Sequence, residues 1–214
     1  MTRLGEQTAY PVRKTPRDRA GDADRGRRTA QAISTVLGPA PWIALVTVAV
    51  GWHAQRLTGV AWGVGAAVFA AVGPIGFIAY GRTRGWWPDQ ELAHRPDRLR
   101  AAPGVVGSVV AGSLVLHALG APHELLALEG AMVLTLGCVG ALTSVWKVSF
   151  HTAAACASLI ILTTVQGAWF HAVLPLTALI GWSRVRLGAH TPAQGVVGAV
   201  LGGALGGVGF LLLR

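Results

Sequence analysis

The sequence predicts an all-α fold, a polytopic bundle of about six or seven transmembrane helices with a polar site at one membrane interface. Three observations predict it. Apolar types make up 52% of the 214 residues and charged types only 13%, where a soluble domain carries about 25% charged residues. The charges gather before Arg28 and in a few short stretches, so what remains is Ala-, Val-, Leu- and Gly-rich runs of about 20 residues, long enough to cross a bilayer as helices. The 29 glycines suit close packing between such helices.

The elements follow in order. Residues 1–32 are Arg-rich with several Asp, Gly and Pro, which predicts a disordered basic cytoplasmic tail, too long and too polar for the start of a signal peptide. Residues 33–214 form the transmembrane domain, with apolar segments near 33–54, 59–81, 103–120, 125–146, 152–167, 171–183 and 193–213. The fifth and sixth are short and suggest a hairpin around Gln166-Gly167-Ala168-Trp169. Trp42, Trp52, Trp86, Trp87, Trp146, Trp169 and Trp182 fall near segment ends and predict an interfacial aromatic belt.

The basic N-terminal tail, the five arginines from Arg82 to Arg100, Lys147, and Arg184 with Arg186 all fall on one side of a bundle with seven spans. The positive-inside rule makes that side cytoplasmic. The net charge of +9 is explained by these flanks, so nucleic acid is not an expected partner. Cys138 and Cys156 lie inside apolar runs and predict neither a zinc site nor a disulfide framework. High Arg, Ala and Gly with little Lys suggests a bacterial cell membrane as the setting.

Ionisable residues at membrane boundaries default to functional candidates. Three groups stand out: the loop from Gly85 to Arg100, the junction Trp146-Lys147-Val148-Ser149-Phe150-His151, and the junction from Trp182 to Gln194. Together they bring histidines, a lysine and several arginines to one face. That set suits phosphoryl chemistry, because fixed cations stabilise the charge spread over the transferring group. One histidine can attack phosphorus and another can protonate the leaving oxygen. No Asp/Glu-rich cluster for magnesium is evident, so a metal-free and cofactor-free route is the simpler expectation.

From about Trp86 onward these residues resemble the type-2 phosphatidic acid phosphatase superfamily, which includes the vanadium haloperoxidases. Ser183, Arg184 and His190 match its Ser-Arg-x5-His motif. Ser149 and His151 match part of its Pro-Ser-Gly-His motif, with Val148 and Phe150 in place of Pro and Gly and Lys147 ahead. Arg95-Pro96 is present without the usual Lys seven residues earlier. The stretch Asp89-x5-Arg95-x2-Arg98 instead resembles a variant bacterial branch, which also ends in His-Thr-x-x-Gln, as His190-Thr191-Pro192-Ala193-Gln194 does.

The resemblance implies that residues 33–214 are a lipid-phosphatase domain with His190 as the nucleophile that forms a phosphohistidine. His151 would protonate the leaving group and then activate water. Arg184, Lys147, Arg95 and Arg98 would hold phosphate oxygens, and Ser149 would donate a hydrogen bond. Gln194 stands where the family has Asp; its carbonyl can orient His190 without adding charge. The substrate expected is a lipid phosphate or polyprenyl (di)phosphate, with membrane lipids as surroundings. Two alternatives stay open: a phosphotransferase using the same phosphohistidine, and a non-enzymatic protein that binds anionic lipid.

Overall fold

A computed structural model describes residues 16–92 and 94–214, with side chains from Asp24 onward. The described residues are helical throughout, joined by short turns. Residues 1–15, half of the expected tail, lie outside the described residues. The rest of the expected tail differs from a disordered one: Pro16–Val36 forms helix α1. Its polar sequence carries no apolar run to announce a helix; α1 packs instead against the last turns of α7 (Leu174–Arg186). A Cβ on Gly26 would stand 3.1 Å from the Arg186 guanidinium.

Among the described residues, four helical runs are long and apolar enough to cross a membrane: Asp24–Thr83, Arg95–Ala118, His123–Thr143 and Pro192–Leu213. The first is a folded run. Helix α2 (Pro39–Ala67) breaks at Gln55 and Arg56, where Arg56 takes φ 54°. The chain reverses there, and Gly51 and Gly59 meet backbone to backbone, with Gly63 against Thr47 one turn on. The second arm continues through a π-helical turn, Val68–Val72, into α3 (Gly73–Thr83). The loop after α3 is anchored by Trp87, whose indole N–H donates to Ile78 O at 2.9 Å.

Helices α4 (Arg95–Ala118) and α5 (His123–Thr143) form an antiparallel pair. Helix α6 (Phe150–Gln166) follows, with 17 residues. A 3-10 turn over Ala168–Val173 leads into α7, and α8 (Pro192–Leu201) runs through a second π-helical stretch into α9 (Gly209–Leu213). The α8 run lies against α6 along small residues. Gly198, Gly202 and Gly206 face Ser149, Ala153 and Ala157, and a Cβ on Gly206 would stand 2.6 Å from that of Ala157. This small-residue seam is the close-approach packing of membrane helices, and it fixes the N-terminus of α6 beside that of α8.

The aromatic belt is partial. Trp86, Trp146, Trp169 and Trp182 are exposed, but Trp42 and Trp87 are 5% and 4% exposed. Trp42 sits in the main core with Val46, Leu128 and Ile161. Trp87 forms a small satellite core with Leu92 and Ala101. Both rings found pockets opened by folding of the chain, which nearness to a segment end does not reveal.

Candidate active site

Two helix ends build the centre of the site. Helix α7 stops at Gly188, which adopts φ 70°, a left-handed conformation that glycine takes without strain. The chain turns back, so the N–H groups of Ala189 and His190 both donate to Arg184 O, at 3.0 and 3.3 Å. Thr191 then starts α8 through a capping box with Gln194. Arg184 therefore rides the last turn of α7 while His190 sits just outside α8, which is what the five-residue spacing encodes.

The capping box also settles the chemistry of His190. Gln194 Oε1 accepts from Thr191 N–H at 3.1 Å, and a backbone N–H can only donate. The same oxygen lies 3.2 Å from His190 Nδ1, so Nδ1 carries the proton and donates. The lone pair of the neutral ring is left on Nε2. That nitrogen lies 3.5 Å from an Arg98 guanidinium nitrogen.

Burial, and then the charges of Arg98, Lys147 and Arg184, push His190 down to about 3, against a weaker opposing pull from Gln194. The imidazole is thus neutral at physiological pH, the state a nitrogen nucleophile needs. Lys147 donates to Ala189 O at 2.8 Å. Its ammonium is held below the usual lysine range by burial and by the Arg98 and Arg184 charges, partly offset by Asp89.

Ser149 is fully buried and caps α6, its Oγ accepting from Thr152 N–H at 3.5 Å. A hydroxyl that accepts keeps its own proton to donate. His151 stands two residues further on, its Nε2 3.9 Å from where a Cβ on Gly38 would lie, so the α1–α2 corner covers it. Thr152 ties the two helix starts: its Oγ1 donates to Gly195 O at 2.8 Å, and Ser149 N–H donates to Gln194 O at 3.3 Å.

Arg98 reaches this centre from α4. It also donates to Leu92 O at 2.8 Å and Val148 O at 3.2 Å. Arg95 does not join it. Its exposed guanidinium donates to the carbonyls of Ser144 and Val145 at the end of α5. Ser183, the first residue of the Ser-Arg motif, donates to Ile180 O within its own helix.

Arg184 is a sequence candidate, but the residues that hold it have no counterpart among those candidates. Arg184 is 2% exposed. One of its terminal nitrogens donates to Ser34 Oγ at 2.6 Å and the other to Glu91 Oε2 at 2.9 Å. Glu91 Oε1 in turn accepts from Gln31 at 3.1 Å. Burial works to raise the Glu91 carboxyl, but the Gln31 hydrogen bond and Arg184 outweigh it and hold the group below its usual range. The acidic signal of Glu91 was visible in the loop; Gln31, Ser34 and Thr152 carry no motif.

A cavity of about 730 Å³ opens beside this centre. Arg98, Glu91 and His151 line its polar end, and Ala154, Ser158 and Ile161 carry it along α6. The stretch from His151 to Ile161 spans about 15 Å of helix. The lining is predominantly apolar, as for a site that takes a hydrocarbon chain.

No curated protein and no solved structure matches the chain. A family model does match, and the matched stretch contains Lys147, Ser149, His151, Arg184, His190 and Gln194. Residues 121–214 of this membrane protein match the family model of the PAP2 superfamily, a likeness that supports a phosphatase-type function.

Proposed function

We propose that the protein hydrolyses a lipid phosphate or polyprenyl (di)phosphate in a bacterial cell membrane, through a phosphohistidine on His190 and without a metal. The observation that carries the reading is the continuity between the centre and the cavity. The Nε2 lone pair of His190 faces Arg98, and Arg98 and His151 line a cavity that runs down α6 into the apolar bundle. A phosphate at the polar end would leave its hydrocarbon chain in the apolar end.

In the proposed reaction His190 Nε2 attacks phosphorus while the leaving oxygen departs with a proton from His151, which takes that proton from solvent once the bound phosphate's negative charge offsets burial and the Arg184 charge. Gln194 holds the Nδ1 proton in place, so the imidazolium formed keeps its orientation. Arg184, Arg98 and Lys147 bind the equatorial oxygens, and Ser149 with the first N–H groups of α6 adds uncharged donors. His151 then takes a proton from water, which attacks the phosphohistidine and frees His190. The N-terminal side, which carries most of the basic flanks, is the proposed cytoplasmic face.

The test is phosphate release by detergent-purified protein from phosphatidate and polyprenyl phosphates, with and without chelator. Release from at least one lipid is expected, unchanged by chelator and absent in His190→Ala. Undiminished release in His190→Ala removes the nucleophile assignment, and no release from any lipid favours anionic-lipid binding without catalysis.

A further inference from the structure

The pairing of Arg184 is unusual for a residue meant to hold a ligand. Its guanidinium is almost wholly buried, both terminal nitrogens are engaged, and its Nε has no partner among the described residues. The ion pair with Glu91 is also asymmetric: the Arg184 side chain is 2% exposed and that of Glu91 is 43% exposed. Arg184 cannot leave without abandoning a buried charge, whereas Glu91 can turn toward water once another anion takes its place on the guanidinium. Glu91 shares the polar end of the cavity with Arg98 and His151. Its carboxylate therefore stands where a phosphate oxygen would stand. The charged and titratable groups around it are Arg184 from α7, Arg98 from α4, His151 from α6 and Asp89 from its own loop, with Gln31 of α1 holding its other oxygen.

We propose that Glu91 is the site's own counter-anion and a specificity-determining residue: its carboxylate occupies Arg184 while the site is empty, and only a ligand that outcompetes it gains that guanidinium. The inference rests on the proposed role of Arg184 as a phosphate ligand. Its consequence is selection by charge. The site opens among bilayer lipids whose headgroups are phosphodiesters with one negative charge. Such a group brings no more charge than the carboxylate it must displace. A terminal phosphate approaches two negative charges and offers three oxygens, so it wins the exchange. Glu91 thus keeps bulk phospholipid out of a site that phosphomonoesters can enter.

Glu91→Gln keeps the shape and removes the charge. Binding of inorganic phosphate to the detergent-purified full chain, followed by calorimetry, is expected to tighten about tenfold in this variant. Dioleoyl phosphatidylglycerol in mixed micelles should compete with that phosphate in Glu91→Gln and not in wild type. Gln31→Ala, which only loosens the carboxylate, should tighten phosphate binding about twofold. Phosphate affinity unchanged or weakened in Glu91→Gln overturns the proposal, and so does absent competition by phosphatidylglycerol in that variant. Should Glu91→Gln fail to fold, unchanged or weaker binding in Gln31→Ala overturns it instead. Because calorimetry needs no turnover, tighter phosphate binding in a protein that hydrolyses no lipid would sink the hydrolase reading and leave this one standing.

Discussion

Gln194 accepts from both Thr191 N–H and His190 Nδ1, so one amide oxygen starts a helix and sets a tautomer. Glutamate at this position preserves both bonds and adds a charge that stabilises the imidazolium. Gln194→Glu and Gln194→Asp are therefore expected to retain or raise phosphate release. Gln194→Ala should lower it about tenfold, the equivalent of one hydrogen bond of roughly 1.4 kcal/mol; full activity in that variant removes the orienting role. Acid stability follows from the same residue. His190 sits at about 3 in the folded protein and near 6.5 in an unfolded chain. Between those values the unfolded state binds a proton that the folded state refuses. His190 thus favours folding above about pH 6.5, and that contribution is lost as pH falls toward 3. Glu91, held low, acts in the same direction. The unfolding temperature should fall steadily from pH 6.5 to pH 4, and His190→Asn should flatten part of that slope. The contacts legible in the sequence were the local ones. Arg184, His190 and Gln194 lie within one helix end and the next helix start. Ser34 and Glu91 reach Arg184 across 150 and 93 positions, a distance over which no spacing rule operates.

At the level of elements, the α6–α8 seam holds the two halves of the site together. Gly202 lies against the Ala153 backbone with no room for a side chain. Gly202→Val should cost about 1–3 kcal/mol through overpacking. It should also lower phosphate release more than binding of detergent or bulk lipid, because Ser149 and Gln194 move apart. Measured as a fall in unfolding temperature, a shift no greater than that of Gly137→Val would contradict the seam; Gly137 has open space where a side chain would stand. The segments around Arg56 were legible as separate because a charge interrupts two apolar runs. Helix α1 was not, since its sequence is polar on most faces and its helicity is secured by α7. The π-helical turns after α2 and α8 were equally hidden, as apolar periodicity does not separate them from ordinary helix.

For the whole molecule, the cavity unites α1, α2, α4, α5 and α6 around one chain-sized space. Ala154 lines it just below His151. Ala154→Phe should raise KM severalfold for a long-chain lipid phosphate and leave a dioctanoyl analogue nearly unaffected. Equal effects on both would mean that the hydrocarbon chain lies elsewhere. The all-helical membrane architecture was legible from composition and run length, because the bilayer forces backbone hydrogen bonds to close within each segment. The cavity was not, since it is a space between helices and no residue announces a gap.

One dimension of α7 carries beyond the protein into the bilayer. Its 13 residues give a rise of about 20 Å, against roughly 30 Å of hydrocarbon. Leu174, Leu179 and Trp182 are exposed along it, so lipid meets a short helix whose polar end carries Arg184, and the lipid surface is drawn inward next to the site through hydrophobic mismatch. Headgroups beside α7 therefore lie lower than elsewhere on the perimeter. Turnover in proteoliposomes should depend on acyl-chain length of the host lipid, fastest in thin bilayers and slowing as the membrane thickens past the reach of α7.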